Sequence, residues 1–191
     1  MDEWDIDMKT GDVKQTKKEG KEIVRLNKNG ENISKMEFDE KSIALINDKK
    51  ELAKDEEGNP LTNTILKFTN SEDAQQVFNK IAGFFGDNTK ESEVEWDYIK
   101  GGVGEGYLQT SGEKDKIVSN FFHPDHNNIT EWRHYHPSNN AEPYIVSILD
   151  HNHAINMKVP SYLHYNRNTK GFRFDDWNGY KNIEWQRTHH R

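Results

Sequence analysis

At 191 residues the chain is the size of one ordinary domain, or of one domain with a modest appendage. Hydrophobic residues make up 32% and charged residues 31%, which limits the core, but five Trp, seven Tyr and nine Phe exclude a disordered polar tail. The net charge of −7 argues against a primary nucleic-acid binder, and the absence of cysteine excludes disulfides and thiolate metal sites, so any zinc must be held by His and carboxylates.

The opening stretch MDEWDIDMKT is acidic and has no apolar run, so no signal peptide is expected. No stretch approaches the roughly 18 apolar residues of a membrane span. Residues 1–50 read as a meander of hairpins, with short alternating runs punctuated by Thr10-Gly11, Glu19-Gly20 and Asn29-Gly30. This thin, hydrophilic stretch ends in the charge run DKKELAKDEEGNP over 48–60. Residues 1–60 therefore read as a linker or attachment segment, set before a domain over 61–191.

From Asn70 the pattern changes. SEDAQQVFNKIAGFF places Ala74, Val77, Phe78, Ile81 and Phe85 at helical spacing, with Asn70 as cap, acids in the first turn and Gly86 as stop. EVEWDYIKG then alternates Val94, Trp96 and Tyr98 against Glu93, Glu95 and Asp97, as a strand does. GYLQTSG, KIVSNFF and ITEWRHYHP follow as strands, a helix is expected around YIVSILDHNHAIN, and SYLHYN and GFRFDDW close the chain as strands. This order predicts an α+β domain, its mixed or mostly antiparallel sheet flanked by helices, preceded by a β-hairpin-rich segment.

The chemistry concentrates in TEWRHYHPSNNAEPYIVSILD. Alternation puts His134 and His136 on one face of a strand, about 7 Å apart, and Pro137 ends that strand. Pro143 suits the first turn of the helix that follows, on which Ser147 and Asp150 share a face. Two imidazoles and one carboxylate leave a fourth position for water, the ligand count of a catalytic zinc site. Zinc lowers the pKa of bound water to about 7.

His134-Tyr135-His136-Pro137 followed by Ser147-Ile148-Leu149-Asp150 resembles the H-x-H-P…S-x-x-D core of JAB/MPN (JAMM) metallopeptidases. VPSYLHYN and GFRFDDW look like the strands after that core in the JAB-like toxin branch of bacterial polymorphic toxins. DEWDIDMKTGDV looks like the segment that joins such toxins to their delivery proteins. The motif covers 134–150 and a looser likeness 70–178. Ten residues separate His136 from Ser147, more than is usual in the family; loop 138–142 absorbs the surplus, and Ser138 becomes a rival for the serine role.

The resemblance implies a JAB/MPN-like fold of cytidine-deaminase-like layering and a Zn2+ ion held by His134, His136 and Asp150. Ser147 would steady the oxyanion, and a glutamate from an earlier strand would serve as general base. Glu95 is the choice for that base, with Glu93, Asp97, Glu105 and Glu113 open. Glu131 is turned by alternation to the face opposite His134 and His136. The implied function is a zinc-dependent peptidase or isopeptidase toxin domain at the C-terminus of a larger secreted protein. It would hydrolyse an amide bond of a protein or peptide through a metal-bound water, in the target-cell cytoplasm. A cognate immunity protein is expected; nucleic-acid and membrane partners are not. A metal-dependent nuclease toxin and a non-catalytic MPN-type interaction module are the alternatives.

The remaining conspicuous residues have plainer readings. His151 and His153 are a second His-x-His pair that competes for Asp150. His123 and His126 read as solvent-facing, His164 as a packed strand residue, Trp96, Trp132 and Trp177 as core or cleft walls, and His189 and His190 as tail.

Overall fold

The Asn-Gly pair at 29–30 forms the tight turn its composition demands: both residues have positive φ, 53° and 81°, and they join β3 (Glu22–Lys28) to β4 (Glu31–Phe38) as an antiparallel hairpin. In this computed structural model the described residues are 2–18, 21–38, 42–54, 58, 60–84, 94–111, 128–135, 146, 148–165 and 171–175. The stretch KIVSNFF, Phe85, Gly86, His123, His126, His136, Ser138, Ser147, Trp177, His189 and His190 lie outside them.

The first sheet is not a sequential meander. β1 (Asp2–Asp7) pairs antiparallel with β2 (Val13–Lys18) and parallel with β3, giving the order β2-β1-β3-β4. Burial explains the arrangement. Trp4 and Ile6 of β1 and Val24 and Leu26 of β3 are the most apolar pairs, so they occupy the centre, while VKQTKK takes an edge where lysines oppose further strand addition. Across the central pair, Arg25 Nη1 reaches Glu3 Oε2 at 2.8 Å on the outer face.

The second sheet has seven strands in the order β11-β10-β9-β7-β8-β6-β5. They are β5 (Ile43–Lys54), β6 (Pro60–Phe68), β7 (Asp97–Gly101), β8 (Gly106–Thr110), β9 (Ile129–Tyr135), β10 (Ser161–His164) and β11 (Phe172–Arg173). All neighbours are antiparallel except β9 and β10, which run parallel. A parallel pair needs a crossover, and α2 (Ile148–Met157) lies within it.

Helix α1 (Ser71–Phe84) starts where expected: Asn70 Oδ1 accepts from the Glu72 amide at 2.9 Å, and Glu72 and Asp73 meet the positive end of the helix. Its stripe of Ala74, Val77, Phe78 and Ile81 shares one hydrophobic cluster with Leu66, Phe68, Trp96, Tyr98, Leu108 and Tyr135 of the large sheet. Trp4, Ile6, Val24, Leu26, Met36 and Phe38 of the small sheet belong to the same cluster, and Phe38 meets Phe68 edge-on at 6.2 Å. Residues 2–38 are therefore packed onto the rest of the chain. Their hydrophilic look reflects strands with one buried face. Position 60, the edge of the segment suggested by composition, is the first residue of β6, which pairs with β5.

Alternate residues of the large sheet face the other way. Ile65, Ile99, Tyr107, Trp132, Leu163 and Phe174 form a second cluster with Ala154 of α2. The class is α+β: a mixed sheet with α1 on one face and α2 on the other, and a smaller mixed sheet sharing the core on the α1 side. Among the described residues no helix is long and apolar enough to cross a membrane.

Candidate metal centre

β7 and β9 are adjacent, and their register sets Asp97 opposite His134. Both side chains are on the α2 face, where His134 lies 5.4 Å from the Trp132 ring. Asp97 is fully buried and His134 is 4% exposed. The Asp97 Oδ1 atom stands 2.7 Å from His134 Nδ1. Its second oxygen, Oδ2, accepts from Gln109 Nε2 at 2.9 Å.

An ionised carboxylate can only accept, so Asp97 holds His134 in the tautomer with hydrogen on Nδ1. The lone pair of a neutral ring is then on Nε2, and Nε2 faces Asp150 Oδ1 across 3.7 Å. Asp150 reaches that position because it lies in the first turn of α2, over the C-terminal half of β9. At 3.7 Å the two groups are too far apart for a hydrogen bond but close enough for a strong charge interaction.

The titration of the ring expresses that interaction. Burial pulls its proton affinity down, but Asp150, the hydrogen bond and charge of Asp97, and the charge of Glu95 together outweigh burial, and the His134 pKa is pushed up to about 10. Without a metal the ring therefore carries a proton at neutral pH. The acids around the ring favour positive charge at this buried position.

A divalent metal fits this pair. Two ligands of one tetrahedral zinc, each bonded at about 2.0–2.1 Å, stand about 3.3–3.5 Å apart, a small side-chain adjustment from the separation found. The donor chemistry also agrees: an imidazole nitrogen whose other nitrogen is anchored by a carboxylate, and a second carboxylate, are a common zinc ligand arrangement. Among the described residues no three ligand-type side chains converge on one point. His134 and Asp150 are the part of the anticipated ligand set that falls within them; the third ligand, His136, and the oxyanion residue, Ser147, lie outside.

Glu95 is 4% exposed and lies two residues before Asp97, in the extended segment that leads into β7. Its backbone carbonyl accepts from the Thr110 hydroxyl, which ties this segment to β8, and its charge acts on His134. Of the other acids considered for the base, Glu105 sits at the β7–β8 turn against Gly101, at the far end of the strand. Asp97 is committed to His134 and Gln109, and Glu93 and Glu113 lie outside the described residues. Glu131 pairs with Arg133 at 2.6 Å.

Of the second histidine pair, His153 faces the β9 side of α2. Trp132 stacks edge-on against His153 at 4.8 Å, which closes the α2 side beside His134. His164 is fully buried on the opposite face, 4.9 Å from the Phe78 ring and 3.3 Å from Arg133 Nη1. Gln109 and Asn63, both fully buried on the α2 face, carry no motif that marks them in the sequence. The only signal was a glutamine at an inward position of GYLQT, and strand pairing was needed to see what it meets.

No protein-family model matches the chain, and no curated protein or solved structure is significantly similar to it.

Proposed function

We propose that the chain is a zinc-dependent amide hydrolase, a peptidase or isopeptidase domain of the JAB/MPN (JAMM) kind, in its polymorphic-toxin branch. One observation carries the reading. Asp97 anchors His134 Nδ1 at 2.7 Å and aims Nε2 at Asp150 across 3.7 Å, a small side-chain adjustment from the spacing of two ligands around one cation. The order of elements supports it as well: the histidine strand β9, then a loop, then the helix that supplies Asp150, then β10 parallel to β9. A JAB/MPN-like layering accounts for a helix on each face of that sheet.

In this reading His134 and Asp150, joined by His136, hold the zinc. When bound, the ion supplies Lewis acidity for the scissile carbonyl and makes water acidic enough to act near neutral pH. The chain's own residues do the rest. Asp97 keeps the His134 ring in one tautomer and one orientation. Glu95, buried two residues upstream, accepts a proton from the attacking water and returns it to the leaving amine. Ser147 donates a hydrogen bond to the developing oxyanion. Trp132, packed against both His134 and His153, keeps bulk water from that side. The substrate is a protein or peptide. The domain works as the delivered end of a larger secreted protein, inside the target cell, with an immunity protein guarding the producer.

The test measures zinc content and hydrolysis together. Purified protein is expected to carry about one zinc per chain and to cleave a protein or ubiquitin-chain substrate, while plasmid DNA and RNA stay intact. His134→Ala is expected to lose both the metal and the cleavage. Zinc-free protein that stays zinc-free after incubation with the metal, or nucleic-acid cleavage without proteolysis, overturns the proposal.

A further inference from the structure

Asn63, Gln109, Asp97 and His134 come from four consecutive strands of the large sheet, β6, β8, β7 and β9. Their side chains are linked in a row. Asn63 Nδ2 donates to Gln109 Oε1 at 3.2 Å, Gln109 Nε2 donates to Asp97 Oδ2 at 2.9 Å, and His134 Nδ1 donates to Asp97 Oδ1 at 2.7 Å. The first three are fully buried. Apolar side chains adjoin the row on this face: Ile65 is the partner of Gln109 across β6 and β8, and Ile99 and Trp132 flank Asp97 and His134 along their strands.

Burying two uncharged amides in the middle of a sheet costs free energy that leucine or methionine would avoid, and their mutual hydrogen bonds return only part of it. The direction of the row shows what the amides do. Asp97 takes only donors, so Gln109 must turn its NH2 toward it and its oxygen away. Asn63 then fixes that orientation by donating to the oxygen. Both carboxylate oxygens of Asp97 are thereby pinned in the plane that receives the His134 N–H.

We propose that Gln109, backed by Asn63, is a positioning residue for the metal site: acting through Asp97, it fixes the tautomer and ring orientation with which His134 meets the metal. The inference rests on the zinc reading of the site. A glutamine two hydrogen bonds away from His134 thus belongs to the metal centre, though it touches neither metal nor substrate. In metal sites the outer hydrogen-bond partners of a histidine ligand set its affinity as well as its orientation.

Zinc affinity, read by competition with a chromogenic chelator, and the long-range 15N–1H spectrum of the His134 ring in the zinc-loaded protein test this. Gln109→Met keeps the volume and removes both hydrogen bonds. It is expected to weaken zinc binding by about 10–100-fold and to shift or broaden the His134 ring signals, while circular dichroism stays unchanged. Asn63→Leu is expected to give a smaller loss in the same direction. It also serves as the second reading should Gln109→Met fail to fold. Wild-type protein that binds no zinc sinks the metal reading itself. Zinc-binding wild type with folded variants of unchanged affinity and unchanged ring spectrum overturns the positioning role alone.

Discussion

His134 is buried among Asp150, Asp97 and Glu95, and its charge state links the site to folding. The folded pKa is raised to about 10 from an unfolded value near 6.5, so the ring's contribution to stability is fully present below 6.5 and is lost as pH rises toward 10. In chelator, the melting temperature of the wild type is expected to fall across that window more steeply than that of His134→Gln. Equal slopes in the two proteins would mean that the ring is not protonated in the folded state. Added zinc displaces the proton, so zinc affinity in a buffered titration is expected to rise with pH over the same range. On the other face, Gly171 has φ +67°, and a Cβ there would lie 2.6 Å from His164 Nε2. Gly171→Ala is expected to destabilise by about 1–3 kcal/mol in urea unfolding, through backbone strain and displacement of the His164 ring. At this scale the sequence showed on which face of β9 His134 lies, because alternation along a strand is a local property. The anchoring by Asp97 was out of reach, since that acid is 37 positions upstream and meets His134 only through strand register.

Helix α1 tests the next scale. Its cap, acidic first turn and apolar stripe could be read directly, since each depends on residues within a few positions. Its seat on the sheet could not. Gly106 opens β8, and a Cβ there would stand 2.6 Å from Ala74 Cβ and 2.9 Å from Ser71 Cα. Gly106→Ala is therefore expected to lower stability by about 1–3 kcal/mol, and adding Ala74→Gly is expected to recover only part, because the Ser71 contact is with backbone. Full recovery in the double variant, followed by urea denaturation, would show that helix and strand separate freely. The Asn29-Gly30 hairpin was equally legible, but the parallel pairing of β1 with β3 was not. Turn chemistry governs adjacent strands only, and the burial of Trp4, Ile6, Val24 and Leu26 decided which strands became central.

For the molecule as a whole, the shared cluster around α1 predicts cooperative behaviour. Phe38, Leu26 and Trp4 contact the same core as Phe68 and Phe78. A chain starting at residue 61 would lose both the small sheet and β5, leaving β6 as an unpaired edge. It is expected to aggregate or to lose its sharp urea transition, whereas the full chain unfolds in one step by fluorescence and far-UV circular dichroism alike. A truncated protein as stable as the full chain would mean that residues 1–60 are a dispensable attachment.

Periodicity, turn pairs and caps depend on neighbours in the chain, so the amino-acid order alone determined that α1 forms, that the Asn-Gly hairpin closes and that the class is α+β. Tertiary structure decided where the small sheet docks, which acid holds the imidazole, and that Gln109 and Asn63 stand behind it. Those outcomes depend on which strands lie side by side, and strand order is chosen by the burial of apolar faces over the whole chain, a competition that no local stretch of sequence records.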